Sequence, residues 1–164
     1  MLKVVVDTNK IIACLLRDGR VRRLLFHPSL EVLLPKYVLK YVLEEINAHR
    51  GYIGRKVSLK AVDLILSKLS KKARIIGAKE LSKEVLTKAR RLAESFDPDD
   101  YPFIAVAMEH NVPLWTNDKK LIKHALTSNE YLAIDTPALE NLLKGEEPTK
   151  IRRALKEKYL ATRH

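Results

Sequence analysis

A chain of 164 residues that is 46% hydrophobic suits one domain of ordinary size with a substantial core. It contains no run of roughly 18 apolar residues able to cross a bilayer, and the stretch before Asp7 is too short and too abruptly acidic for a signal peptide, so a soluble cytoplasmic protein with no membrane partner is expected. The formal charge of +11, from 31 Lys and Arg against 20 Asp and Glu, points to a polyanionic partner such as nucleic acid, although a charged fraction of 31% is also that of a heat-adapted surface.

Short apolar runs alternate with longer periodic segments, the pattern of βαβ units around a parallel sheet with right-handed crossovers and helices on both faces. In chain order, Leu2–Val6 reads as a strand closed by Asp7-Thr8-Asn9, followed by helices near 9–16 and 20–26 and a strand at Glu31–Leu34. Pro35 then opens a helix over 36–49, and a helix near 58–70 leads into a strand at Arg74–Ile76. Helices are expected near 79–95 and 100–110, a strand at Pro113–Thr116, a helix near 118–126, a strand at Leu132–Ile134 and a helix near 137–143. Gly145-Glu146-Glu147-Pro148 is a break, so residues 1–143 form the domain and 144–164 a basic, helical C-terminal extension. Thr149–Tyr159 carries Lys150, Arg152, Arg153, Lys156 and Lys158, which serve either nucleic-acid contact or a solvated face.

Cys14 is the only cysteine, which excludes an intrachain disulfide and a cysteine-based zinc site, and it reads as core. His27, His49, His110, His124 and His164 show no close metal-ligand spacing. Any metal must therefore be held mainly by oxygen.

The carboxylates carry the chemistry. Asp7 sits where a buried strand ends, the place where ligands bind in open α/β sheets, but an acid there also caps the next helix. Glu45 shares a helical stripe with Val38, Val42, Ile46 and His49, whereas its neighbour Glu44 leans outward. Asp97, Asp99 and Asp100 gather before the apolar helix Phe103–Met108; capping explains one or two of them, and Asp100 is in register with Ile104 and Ala107. Trp115-Thr116-Asn117-Asp118 repeats the logic of Asp7 at a second strand end. Four converging carboxylates repel one another unless cations neutralise them. Oxygen ligands favour Mg²⁺ or Mn²⁺, and one or two such ions suit phosphodiester cleavage.

The ordered set Val-Val-Asp7-Thr-Asn, Glu45-Ile, Asp100 before Ile-Ala-Val-Ala, and Trp-Thr-Asn-Asp118 resembles the PIN-domain ribonuclease family, which includes VapC-type toxins and RNA-processing nucleases. The resemblance spans Leu2 to about Leu143. It implies a Rossmann-like three-layer α/β/α sandwich with about five parallel strands, commonly a homodimer, that hydrolyses RNA with one or two Mg²⁺ or Mn²⁺ ions. Its acidic quartet falls on Asp7, Glu45, Asp100 and Asp118, with Asn9 and Thr116 shaping the pocket and Asp97, Asp99 and Glu44 as auxiliary or substitute ligands. The interval from Pro35 to Glu45 is a helical turn longer than the family pattern. Arg17, Arg20, Lys119 and Lys120, with Arg22, Arg23 and Lys123 near them, are candidates for contact with the RNA backbone. A toxin controlled by an antitoxin protein, a processing factor, and an inactive basic RNA-binding module all fit these residues. A haloacid-dehalogenase phosphatase would require an Asp where Asn9 stands, and a receiver domain would require paired acids on the first strand.

Overall fold

A computed structural model of the chain describes residues 1–161, so His164 and the end of the basic extension lie outside the described residues. Strand β1 (Leu2–Val6) occupies the centre of the sheet, with Val4, Val5 and Val6 fully buried. A β-branched run without polar alternation is what a strand covered on both faces demands. It pairs in parallel with β2 (Leu30–Pro35) on one side and β4 (Leu114–Trp115) on the other, Val4 lying opposite Val32 and Val6 opposite Trp115. The outer strands are β3 (Arg74–Ile76) beside β2 and β5 (Ala133–Ile134) beside β4, giving the order β3-β2-β1-β4-β5, all parallel. The chain moves outward from β1 to β3 and then crosses back to the far side of β1. The strand order thus reverses between β1 and β4, and a crevice opens at their carboxyl ends.

Helices α1 (Thr8–Leu16), α2 (Arg20–Leu25), α3 (Lys36–Ala48), α4 (Arg50–Gly54), α5 (Leu59–Lys72), α6 (Lys83–Glu94), α7 (Tyr101–His110), α8 (Lys119–Ser128), α9 (Thr136–Leu143) and α10 (Pro148–Leu160) complete the expected three-layer α/β/α arrangement. The most enclosed is α7, whose residues Pro102 to Ala107 are all buried and which ends on Asn111 in the left-handed conformation, a standard helix stop. Cys14 is likewise buried, as its place in an apolar helix implied.

Two departures from the expected elements have local causes. The segment read as one helix over 79–95 is a 3-10 turn, Ala78–Glu80, followed by α6. The break arises because Glu80 accepts a hydrogen bond from the Gly77 N–H (3.0 Å) and the Ser82 hydroxyl accepts one from the Val85 N–H (3.1 Å), so one cap closes on the next. Helix α4 was not expected, since two glycines in five residues mask any period.

The basic terminal helix is docked on the domain. Ile151 and Leu155 of α10 are buried, and α10 packs against α8 and α9. Asp135, 5% exposed, caps α9 by accepting from the Ala138 N–H (3.0 Å), and also accepts from Lys158 Nζ (2.7 Å) and the Tyr159 hydroxyl (2.8 Å). Burial acts to raise the Asp135 carboxyl pKa, but these donors outweigh it and hold it below the usual value. Lys158 is thereby occupied as a clamp. Replacing Asp135 by Ala strands three donors and should lower the unfolding free energy by about 2–4 kcal/mol in urea titrations. Because the folded pKa is depressed, that contribution is present above the ordinary carboxyl range and fades as the pH falls through it, so the gap between wild type and Asp135→Ala should narrow in acid.

Candidate active site

The carboxyl ends of β1 and β4 are joined by one hydroxyl. Asp7 follows β1 and caps α1, with Oδ1 accepting from the Lys10 backbone N–H at 3.0 Å. Its Oδ2 accepts from the hydroxyl of Thr116, a fully buried residue just beyond β4. The same Thr116 oxygen accepts from the Asp118 N–H at 3.0 Å. Asp118 in turn caps α8, accepting from the N–H groups of Lys120 (2.9 Å) and Leu121 (3.4 Å). Capping and pocket geometry are therefore not alternatives at Asp7 and Asp118, because the cap bonds fix each carboxylate at the rim of the crevice.

The acidic run divides its labour. Asp97 accepts from the Asp99 N–H (3.0 Å) and caps a 3-10 turn, Pro98–Asp100. Asp100 stands at the start of α7 and makes no capping hydrogen bond with its side chain. Burial, with the charges of Asp97, Asp118, Asp7 and Asp99 adding to it, pushes the Asp100 carboxyl up to about 7. Asp7 is also raised, chiefly by burial and slightly by Asp118, against the opposing pull of the Thr116 and Lys10 hydrogen bonds and the Lys10 ammonium. Asp118 thus acts on both Asp7 and Asp100, and Asp7 acts on Asp100.

Two clefts meet at Asn9, which is exposed and lines both. One, of about 640 Å³, is bordered by Asp7, Lys10, Arg17, Arg20 and Asp118. The other, of about 500 Å³, is bordered by Tyr37, Tyr41, Asp99, Asp100 and Phe103. Helix α3 therefore presents Tyr37 and Tyr41 to the acidic crevice. Glu45 lies one turn beyond Tyr41, half-buried, with its carboxylate 3.7 Å from His49 Nε2, and it does not line either cleft. Glu44 is exposed. A shared apolar stripe puts Glu45 beside the core, but α3 leads away from the strand ends as it runs.

The basic candidates also separate. Arg17 and Arg20 border the larger cleft, with Arg20 ion-paired to Glu140. Arg22 donates to the carbonyl oxygens of Cys14 (2.8 Å) and Leu15 (3.2 Å), which satisfies the end of α1 and occupies its guanidinium. Lys119, Lys120, Lys123 and Arg23 are exposed. Lys10, which the sequence reading passed over, is 3% exposed; its ammonium donates to Thr136 Oγ1 (3.2 Å) and lies 5.3 Å from the Trp115 ring centroid. Periodicity gives no warning of a lysine on a buried face, since its partner Thr136 is distant in sequence.

The donor set suits a hard divalent cation in kind, being carboxylate, amide and hydroxyl oxygen. Among the described residues, no group of three or more His, Cys, Asp or Glu side chains is arranged so as to hold a metal ion. Mg²⁺ usually takes only one or two carboxylates and keeps several waters, so the separation of these acids is compatible with an ion bridged to them by water.

The geometry generates two expected outcomes. In chelator-treated protein, the raised Asp100 pKa makes its stabilising effect complete below the ordinary Asp value and lost as the pH rises through about 7. Asp100→Asn should therefore be more stable than wild type at pH 8, by about 2–4 kcal/mol, with the difference vanishing near pH 4 in melting curves. Thr116→Val keeps the shape but removes the hydroxyl, leaving the Asp118 N–H and one Asp7 oxygen without their partner; a loss of about 1–3 kcal/mol is expected by denaturant unfolding.

The model of the family described as "PIN domain" matches residues 5–150. No protein in a search of curated proteins matches the chain. Among solved structures, a chain of VapBC2 from Rickettsia felis, bound to a DNA fragment from their promoter, superposes with a TM-score of 0.58 at 15% identity, over 82% of this chain and 98% of that one. At that identity the likeness speaks for the fold.

Proposed function

Since the chain belongs to the PIN-domain family of nucleases, we propose that it is a metal-dependent endoribonuclease that hydrolyses RNA phosphodiester bonds at the crevice between β1 and β4. The observation that supports this reading is the placement of Asp7 and Asp118, linked through Thr116, at the adjacent carboxyl ends of β1 and β4, where the strand order reverses. Asp7 and Asp118, oriented by their cap bonds and by Thr116, are the rigid ligands. Asp100 completes the set from the start of α7. Asn9 lies between the two clefts and is placed to touch the phosphate. Glu45 is the outermost acid of the quartet and acts through water, with Asp97, Asp99 and Glu44 outside it.

When bound, one or two Mg²⁺ or Mn²⁺ ions would neutralise these carboxylates and the scissile phosphate and lower the pKa of an attacking water. Arg17, Lys119 and Lys120 position the RNA backbone, with Arg20 joining them where its pairing to Glu140 opens. Such contacts carry no sequence information.

Within the PIN-domain family we favour a toxin, a cytoplasmic homodimer held inactive by an antitoxin protein; the fold shared with the Rickettsia felis VapBC2 structure supports this reading. Recovery of a small partner on affinity purification, encoded beside this gene, is the outcome expected of a toxin; a processing nuclease would come away alone. A catalytically inactive RNA-binding module would bind RNA and leave it intact whatever metal is added.

Single-stranded RNA should be cut in Mn²⁺ or Mg²⁺, spared in chelator, and spared by Asp7→Asn and Asp118→Asn proteins whose circular dichroism matches wild type. Glu45→Gln, removing an outer acid, should slow cleavage by only about tenfold. Undiminished cutting by both Asn variants would dispose of the carboxylate mechanism.

A further inference from the structure

A third cleft, of about 440 Å³, opens beyond the carboxyl ends of β2 and β3. Pro35 and Ile76 end these strands, Leu81 and Leu86 form part of the wall, and Tyr37 and Tyr101 complete it. Among the described residues no carboxylate lines it, and Lys36 and Lys40 border it, both exposed. Tyr37 and Tyr101 also line the cleft that contains Asp99 and Asp100, so the two tyrosines form the partition between an acidic chamber and an apolar one. Tyr37 is 46% exposed, while Arg90 of α6 lies 5.0 Å from the centroid of the Tyr101 ring. A guanidinium over one ring steadies the partition and adds positive charge beside it.

We propose that this cleft is a nucleobase subsite, which takes one unpaired base next to the scissile phosphate and stacks it on Tyr37. The inference rests on the nuclease reading and gives its single-stranded substrate a physical contact. The physical case is the juxtaposition of an apolar, aromatic-walled cavity of ligand size, two lysines able to hold a flanking phosphate, and a shared wall with the acids. Bases in a duplex are already stacked and paired; only an unpaired base can leave the strand and lie against an aromatic ring. A stacked base contributes through its ring face, so the subsite tolerates different bases and acts on affinity rather than on bond cleavage. A protein segment with an apolar anchor is the competing occupant. The lysines and the adjoining phosphate site favour nucleic acid.

The test couples a protein change to a substrate change. Tyr37→Ala should raise KM for a single-stranded oligoribonucleotide by about tenfold with kcat nearly unchanged, and Tyr37→Phe should restore it, because stacking needs the ring and not the hydroxyl. Ala78→Trp, which fills the cleft from an exposed position away from the acids, should act like Tyr37→Ala. An abasic nucleotide beside the cut should weaken wild-type binding about tenfold by fluorescence anisotropy, yet weaken Tyr37→Ala less than about twofold, since both changes remove the same contact. Full and independent penalties from the abasic site and from Tyr37→Ala would overturn the subsite. So would variants that bind RNA normally but lose a protein partner, which would assign the cleft to that partner. Wild type that binds with the coupled penalties and never cleaves would overturn the nuclease reading while leaving the base subsite standing. Wild type that neither binds nor cleaves RNA would overturn both.

Discussion

The Thr116 hydroxyl is the point through which the crevice is assembled. It donates to Asp7 and accepts from the Asp118 N–H, so one buried group holds the ends of β1 and β4 and fixes the starts of α1 and α8. The arrangement is possible only because β4 lies next to β1, with the Asp7 N–H donating to the Trp115 carbonyl at 3.3 Å. A hydroxyl, which can donate and accept at once, is the smallest group able to make this connection. The cap bonds then leave little freedom to the two carboxylates.

Charge is distributed in two opposing ways. The chain as a whole carries +11, yet Asp7 and Asp100 are both pushed above their ordinary pKa, first by burial and then by neighbouring carboxylates. Basic surface attracts a polyanion, while the acidic crevice repels its phosphates unless a cation lies between them. Several basic groups serve the fold. Lys10 is buried against Thr136 and Trp115, Arg22 finishes α1, and Lys158 clamps α10 to Asp135. The excess positive charge is therefore not a simple measure of the surface available to nucleic acid.

Most of the sheet was legible because parallel strands buried on both faces appear as uninterrupted apolar runs, and β1 lies where such a run suggested. Helix α7 was equally plain, with its acidic start and left-handed Asn111 stop. The break at Ser82 was obscured because the amphipathic period continues across it, and α4 because glycine carries no pattern. Within the acidic run, only the hydrogen bond from the Asp99 N–H distinguishes Asp97 as the cap and leaves Asp100 to the crevice.

By itself the sequence determined that β1 and β4 end in carboxylates, that the chain holds one sheet wound on both faces, and that any metal must be held mainly by oxygen. These are properties of local order, written in neighbouring residues and short periods. Tertiary structure alone decided which side chains meet: Thr116 with Asp7, Lys10 with Thr136, Asp135 with Lys158 and Tyr159, and Tyr37 and Tyr41 of α3 along the cleft of Asp100. Such meetings depend on strand order and helix direction, which bring together residues up to 126 positions apart, and no local pattern encodes a partner at that distance.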